Sequence, residues 1–410
     1  MIYFILVLAA IALLSIVLEE VTHINKAKSV FLLGCISWIA LFVQASQHQG
    51  SAEINLLFNE NLLDIASLWL FLMATMTFVA YINGRGLIGS LVGKILPTAM
   101  GFRRLTLIVA TFAVVLSMLC DNITATLVTL GVIKSFRLET SEQAKLGVLT
   151  VFGVNSGGTI LITGDVTTLM IFNDGHVTIS QLLTLIVPAL VGVLTLAILV
   201  TLGGSRHITA EIAPGKIRKL DVVIGVLFFS TIVATMVFNI SFGIPPILTF
   251  LTGLSMMFML GGLINKYRHE IHLLEYVRQI QFDTLLFFLG ILLIIGALKE
   301  VGVLVWITDF YFSVSPNISN FILGVLSALV DNVPLTAALL KAQPELNASQ
   351  WLGLTYAVGV GGSMLVIGSA AGIIAMSRLP AMTFFQYARY IPHLLVAYTV
   401  GYVIAVKLVG

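Results

Sequence analysis

Eight long apolar stretches recur along this chain of 410 residues, and they limit what it can fold into. A helix needs roughly 20 apolar residues to cross the hydrocarbon core of a bilayer. An unbroken segment at that depth must be helical, because lipid offers backbone N–H and C=O groups no hydrogen-bonding partner. The stretches therefore predict membrane-spanning helices over about 2–18, 29–46, 64–84, 181–203, 221–239, 246–264, 281–300 and 390–408.

Four further apolar stretches are interrupted near their middles. Those at about 146–173 and 351–377 contain glycine pairs, and we expect each to be a helix that is broken within the membrane. Those at about 105–133 and 317–341 contain an Asp-Asn pair, and we expect each to be a re-entrant hairpin. Irregular backbone at membrane depth is tolerated only where it is buried in protein or lines a wet cavity. The sequence thus predicts about ten spans and two hairpins.

The composition is typical of a chain that exposes much of its surface to lipid. Charged residues make up 10% and hydrophobic residues 59% of the chain, whereas a soluble domain carries about 25% charged residues. A net charge of +2 gives no basis for nucleic-acid binding. The two cysteines, Cys35 and Cys120, lie in apolar stretches and do not indicate a disulfide framework. The sequence also has no His/Cys cluster that would suggest zinc. The first stretch has no basic residues before it, so we expect a span rather than a cleaved targeting segment. The predicted fold class is an all-α polytopic membrane protein.

Two motifs recur in the same order in the two halves of the chain. The Asp-Asn pair at 121–122 returns at 331–332, 210 positions later, and the Gly-Gly pair at 157–158 returns at 361–362, 204 positions later. We therefore expect a first repeat at 1–203, a cytoplasmic linker at 204–220 and a second repeat at 221–410.

The basic residues indicate how the repeats are oriented. If the stretch at 29–46 runs from inside to outside, 18 of the 21 Lys and Arg residues lie inside, and only Lys299, Lys341 and Lys407 lie outside. This asymmetry is the positive-inside signal, and it places both chain ends outside (periplasmic) in the inner (plasma) membrane. Because each repeat has five spans, an odd number, the second repeat is expected to be inverted relative to the first, a common transporter design.

Three aspartates lie inside apolar segments: Asp121 and Asp331 in the hairpins, and Asp165 in the first broken helix. Inserting such a carboxylate costs at least about 2.5 kcal/mol. A structural ion pair could offset that cost, but the segments around the three aspartates contain no basic residue: none lies between Arg104 and Lys134, between Lys145 and Arg206, or between Lys299 and Lys341. We therefore expect the missing cation to be the transported one.

Oxygen-bearing side chains surround these carboxylates. Interrupted helices free backbone carbonyls, which coordinate Na⁺ or H⁺ in transporters. The predicted ion- and proton-binding residues are Asp121, Asn122, Thr124, Asn155, Gly157, Thr163, Asp165, Thr167, Thr168, Asp331, Asn332, Ser363 and Ser369. The predicted ligands of Na⁺ or Li⁺ are Asp121, Asn122, Asp165 and Thr167, with Asp331 in a supporting role. The alternative for each Ser and Thr is a hydrogen bond back to its own helix.

Two more aspartates, Asp64 and Asp283, begin corresponding predicted spans. Aspartate is a favoured N-cap residue, because its carboxylate accepts from the first free N–H groups of a helix. We expect both to be N-caps.

The sequence resembles NhaD-type sodium/proton antiporters, of the ion transporter superfamily, over about 22–408. The resemblance lies in four runs: Asp-Asn-Ile-Thr at 121–124, Gly-Asp-Val-Thr-Thr at 164–168, Asp-Asn-Val-Pro at 331–334 and Gly-Ser-Ala-Ala-Gly at 368–372. It implies a scaffold domain, a transport domain that contains both hairpins, an elevator-type movement and a homodimer.

We expect a secondary active transporter, not an enzyme, that exchanges Na⁺ (or Li⁺) for H⁺ and needs no cofactor. The buried aspartates would hold either the cation or protons, and coupling follows if only the loaded site crosses the membrane. The nearest alternative is a Na⁺-coupled, dicarboxylate-like anion symporter, which needs a cationic group that the predicted membrane segments lack. An alternative from another class is an intramembrane aspartyl protease, which needs two carboxylates sharing a proton; its Tyr-Asp and Gly-x-Gly-Asp pairs are absent.

Overall fold

The structure is a computed structural model that describes residues 2–17, 25–47, 51–87, 90, 99–201, 207–209, 219–268 and 273–409. Most of the described chain is helical. The helices of the first half are α1 (Ile2–Val17), α2 (Lys26–Gln47), α3 (Ser51–Gly84), α4 (Phe102–Leu119), α5 (Asn122–Lys134), α6 (Thr140–Gly158), α7 (Val166–Asn173), α8 (Ile179–Leu183) and α9 (Ile186–Thr201).

The second half continues the numbering. Its helices are α10 (Lys219–Phe242), α11 (Pro246–Arg268), α12 (Leu273–Arg278), α13 (Phe282–Glu300), α14 (Val305–Ser313), α15 (Pro316–Val330), α16 (Asn332–Ala342), α17 (Ala348–Gly361), α18 (Ala370–Arg378), α19 (Phe384–Ala388) and α20 (Ile391–Val409). Most of the predicted linker at 204–220 lies outside the described residues.

Eight helical segments in the described ranges are long and apolar enough to cross a membrane: α2, α3, α4, α8 together with α9, α10, α11, α13 and α20. The prediction of an all-α polytopic membrane protein is therefore confirmed in its main point. The described chain also has one small departure from it. The strands β1 (Ala99–Gly101) and β2 (His207–Thr209) pair antiparallel, with Met100 opposite Ile208, and three-residue strands are too short to show a periodicity in the sequence.

α3 begins well before the span predicted at 64–84. Its first turns contain Glu53 and Glu60, and such residues do not belong to an apolar run even though the backbone there is helical. Asp64 therefore lies inside the helix, where it forms a 2.7 Å salt bridge with Lys341 of α16. The prediction that Asp64 is an N-cap is wrong.

The N-terminal ends of α2 and α13 lie side by side. The N-cap of α13 is Gln281, so the prediction of Asp283 as the cap is also wrong. Asp283 instead accepts a 2.8 Å hydrogen bond from Asn25, the residue that precedes α2. Further along, a Cβ on Gly34 would lie only 2.7 Å from the carbonyl oxygen of Gly290, so glycine at Gly34 permits the close packing of the two helices.

The helices form two packed groups. The first contains α1, α2, α3, α10, α11 and α13, and its most extensive contact is between α2 and α13. In the second group α4 packs on α6, α15 on α17 and α9 on α20. The groups meet where α16 packs against α13.

Four pairs of helices in the second group are separated by short non-helical segments. Two residues separate α4 from α5, and one, Asp331, separates α15 from α16. Residues 159–165 separate α6 from α7 and residues 362–369, with one 3₁₀ turn, separate α17 from α18. These junctions fall at the predicted Asp-Asn pairs and glycine pairs.

Candidate cation site

A cavity of about 400 Å³ lies between the two groups of helices. It extends from the junctions of the second group to the N-terminal ends of α2 and α13, where Asn25 and Asp283 form part of its wall. Seven predicted site residues line it: Asp121, Asn122, Thr163, Asp165, Asp331, Asn332 and Ser369.

Asp165 links the two halves of the chain. It is the N-cap of α7, and one carboxylate oxygen accepts from the backbone N–H of Thr167 at 3.3 Å. The other accepts from the side-chain amide of Asn332, the first residue of α16, at 2.9 Å. Asp165 is 7% and Asn332 4% exposed, and no described basic side chain forms a salt bridge with Asp165. Neutral donors alone thus face a buried carboxylate, an arrangement suited to receiving a cation or a proton.

Asp121 has local partners for both of its carboxylate oxygens. As the N-cap of α5 it accepts from the backbone N–H and from the hydroxyl of Thr124, each at 2.9 Å. The neighbouring Asn122 accepts at its side-chain oxygen from the hydroxyl of Ser117 at 2.8 Å. These contacts fix the first Asp-Asn pair at the cavity wall.

Asp331 is held more loosely and in an unusual backbone conformation. Its φ of 68° lies in the left-handed region, which is uncommon for residues other than glycine and is concentrated at functional sites. Its carboxylate accepts from the backbone N–H of Val333 at 3.5 Å, a longer contact than either of those to Asp121. The carboxylate of Asp331 is therefore the least satisfied of the three.

A second hydrogen bond crosses between the halves beside the cavity. The side-chain amide of Asn155 donates to the hydroxyl of Ser369 at 2.9 Å. Ser369 is the N-cap of α18, as Asp165 is of α7, so the two helix starts are each held by an asparagine from the other half.

Three buried oxygens near the first break have no hydrogen-bond partner among the described residues: the side-chain oxygens of Asn155, Ser156 and Thr167. Leaving a buried polar group unsatisfied costs about 1–3 kcal/mol. Ser156 follows Asn155 directly, and Thr167 lies two residues after Asp165. Uncharged oxygens of this kind are ligands that a small hard cation prefers.

Six predicted residues do not line the cavity: Thr124, Asn155, Gly157, Thr167, Thr168 and Ser363. Thr168 donates to the carbonyl of Gly158 at 3.0 Å and so ties α7 to the end of α6. Ser363 donates to the carbonyl of Val360 at 2.5 Å. A Cβ on Gly157 would overlap the carbonyl oxygen of Val114, so Gly157 allows α6 to pack closely on α4.

Lys26 also lines the cavity, a position that the sequence does not predict. Lys26 is the first residue of α2, but the apolar stretch begins only at residue 29, so the sequence pattern places Lys26 in a loop. Its ammonium lies 5.4 Å from the ring centroid of Phe287, another residue of the cavity wall. The nearness of Lys26 to the aspartates arises only from the packing of α2 against α13.

A smaller cavity of about 240 Å³ lies beyond the first. It contains the Asp64–Lys341 salt bridge, and Phe71 of α3 lines both cavities. Phe71 is 2% exposed, and its ring centroid lies 4.8 Å from that of Phe250. Phe71 therefore forms part of the wall of both cavities.

A polytopic helical fold with three aspartates at a cavity between its helices is typical of a membrane transporter. The model of a family described as citrate transporter matches residues 1–359. The chain is 30% identical to the Na⁺/H⁺ antiporter NhaD of Vibrio parahaemolyticus, over 91% of this chain and 98% of that protein. It is 29% identical to NhaD of Vibrio cholerae, over 98% and 91%, and 29% identical to sodium/proton antiporter 2 of Arabidopsis thaliana, over 91% of each. The chain belongs to the citrate transporter family. Its similarity to NhaD over nearly the whole length places it among the NhaD-type transporters.

Proposed function

We propose that this protein exchanges Na⁺ (or Li⁺) for H⁺ across the membrane. The main supporting observation is Asp165, a buried carboxylate at the cavity wall whose hydrogen-bond donors among the described residues, the Thr167 N–H and the Asn332 amide, are neutral. The names of the relatives, Na⁺/H⁺ and sodium/proton antiporters, support the same exchange.

Competition for one site supplies the coupling. A carboxylate in a poorly solvated cavity is stabilised either by a proton or by a cation, and each excludes the other. If the empty, charged site cannot cross the membrane and either loaded site can, each crossing by a cation must alternate with a crossing by protons.

Asp165 is the centre of the proposed site. Asn122 and Thr167 supply neutral oxygens near it, and Asp121 and Asp331 line the same cavity on the hairpin side. Among the described residues, no three carboxylate, thiolate or imidazole groups converge as a metal site. The proposed ligand set is one carboxylate, that of Asp165, with the neutral oxygens of Asn122 and Thr167, and such a set suits a monovalent cation.

The architecture proposed for this exchange has two inverted repeats, 1–203 and 221–410, each with one re-entrant hairpin and one broken helix. Equivalent packing supports it: α1 packs on α2 as α10 packs on α11, and α4 packs on α6 as α15 packs on α17. We assign the first packed group to a scaffold domain and the second to a transport domain that moves in an elevator-type cycle, within a homodimer. The orientation predicted from the basic residues has both termini outside the inner membrane and the N-terminal ends of α2 and α13 inside. Because the cavity reaches those two ends, it would open to the cytoplasm.

The exchange is tested in everted membrane vesicles with a pH-sensitive dye, by adding Na⁺ after a proton gradient is formed. Dequenching is expected for the wild type and for the control Asp309→Asn, whose carboxyl group is exposed. Asp121→Asn, Asp165→Asn and Asp331→Asn are expected to abolish the response. Full activity of all three variants would refute the proposal.

An anion symporter is not favoured. The charged residues among the described ones that line the cavity are one lysine, Lys26, and four aspartates. This excess of negative charge would repel a di- or tricarboxylate. Addition of citrate is therefore expected to leave the Na⁺ response unchanged. A response that requires citrate would favour the symporter.

A further inference from the structure

Lys26 is held on a rigid pair of helices. The side-chain oxygen of Asn25 accepts from the backbone N–H of Ala27 at 2.9 Å, and its amide donates to Asp283 at 2.8 Å. The start of α2 is thus fastened to the start of α13. The close approach at Gly34 and Gly290 fixes the same pair further along.

The Lys26 side chain extends into the cavity. Its ammonium lies 5.4 Å from the ring centroid of Phe287, within the range of about 6 Å for an attractive cation–π contact. Phe287 is 5% exposed and lines the cavity with Asp331. Lys26 and Asp331 thus lie on the wall of one cavity, and they carry opposite charges.

Asp331 is the carboxylate best placed to accept a second cation. Both oxygens of Asp121 have donors at 2.9 Å, and Asp165 has one from Asn332 at 2.9 Å. The contact described for Asp331 is at 3.5 Å. An ammonium and a sodium ion are both monovalent cations, so each weakens the attraction of the other to this carboxylate.

We propose that Lys26 is a built-in competitor of the transported cation: its ammonium, on the cavity wall that it shares with Phe287 and Asp331, offsets part of the Asp331 charge that would otherwise attract Na⁺. Lys26 thereby sets the Na⁺ concentration at which the site fills from the face where the cavity opens. This inference rests on the proposed exchange of Na⁺ for H⁺.

The test compares Lys26→Gln with Lys28→Gln in everted vesicles that contain the full-length chain. Lys28 is on the same turn of α2, is exposed and does not line the cavity, so its variant removes the same charge from the same helix end. Lys26→Gln is expected to lower the half-saturating Na⁺ concentration by roughly three- to fivefold. Lys28→Gln and the charge-conserving Lys26→Arg are expected to stay within about twofold of the wild type.

A second measurement covers variants that transport poorly. Na⁺-dependent protection against thermal unfolding in detergent gives the binding concentration without transport, and Lys26→Gln is expected to shift it by the same factor. In the Asp331→Asn background, Lys26→Gln is expected to cause no further shift, because the shared carboxylate is gone.

Two results would overturn the proposal: equal half-saturating Na⁺ concentrations for Lys26→Gln and Lys28→Gln, or a rise rather than a fall for Lys26→Gln. A wild type that moves no protons on Na⁺ addition would instead refute the proposed function itself.

Discussion

The carboxylate of Asp165 accepts a 2.9 Å hydrogen bond from the side-chain amide of Asn332, a residue 167 positions later in the chain. The bond joins the start of α7 to the start of α16, so the first broken helix and the second Asp-Asn pair form one site. Because the donor is neutral, the bond positions the carboxylate without cancelling its charge. An incoming cation or proton therefore finds an oriented acceptor.

Asn332→Ala removes this donor. A hydrogen bond to a charged group contributes about 1.5–3 kcal/mol, so we expect Na⁺-driven proton movement to fall by roughly tenfold or more. Dye dequenching in everted vesicles measures it, with Asn317→Ala as the control because Asn317 is exposed on α15. Equal rates in the two variants would show that the Asp165–Asn332 bond has no part in transport.

Ser369→Ala tests the other link between the halves. It deprives the amide of Asn155 of its acceptor, and the oxygen of that amide is already without a partner among the described residues. We expect a loss of about 1–3 kcal/mol in the free energy of unfolding in detergent. Ser377→Ala, on the same helix, removes an exposed hydroxyl that bonds to its own helix and is expected to change stability by less than about 0.5 kcal/mol. A similar loss in both variants would mean that the Asn155–Ser369 bond contributes no specific stability.

Gly157→Ala tests the packing of α6 on α4. Its Cβ would overlap the carbonyl oxygen of Val114, so the helices must separate and the first break must shift. We expect low transport and reduced thermal stability. Gly131→Ala, in α5, meets nothing within 4 Å and is expected to be neutral or to stabilise by up to about 1 kcal/mol. Normal transport by Gly157→Ala would show that close packing at this point is dispensable.

The positions of the spans and junctions could be predicted from the sequence, because both depend on local patterns. Apolar runs marked most long helices, and the Asp-Asn and Gly-Gly pairs marked the places where helices end. The start of α3 could not be predicted in this way, since Glu53 and Glu60 interrupt the apolar run but not the helix.

The partners of the site residues depend on tertiary packing, and local patterns do not contain them. The aspartates could be identified because a carboxylate in an apolar membrane segment is costly in free energy. The hydrogen bond from Asn332 to Asp165 joins distant parts of the chain and became apparent only in the folded structure. Lys26 was assigned to a loop because it lies at the end of an apolar run. Only the packing of α2 against α13 brings it to the cavity.

The most direct test of the account is the half-saturating Na⁺ concentration of purified protein in proteoliposomes, measured over about two pH units. If Na⁺ and one proton compete for the same carboxylate, lowering the pH protonates the site and raises that concentration, by up to about tenfold per pH unit. The wild type is expected to show this rise, with the maximal rate reached again at high Na⁺. A half-saturating Na⁺ concentration that does not change with pH would contradict the competition on which the proposed exchange depends.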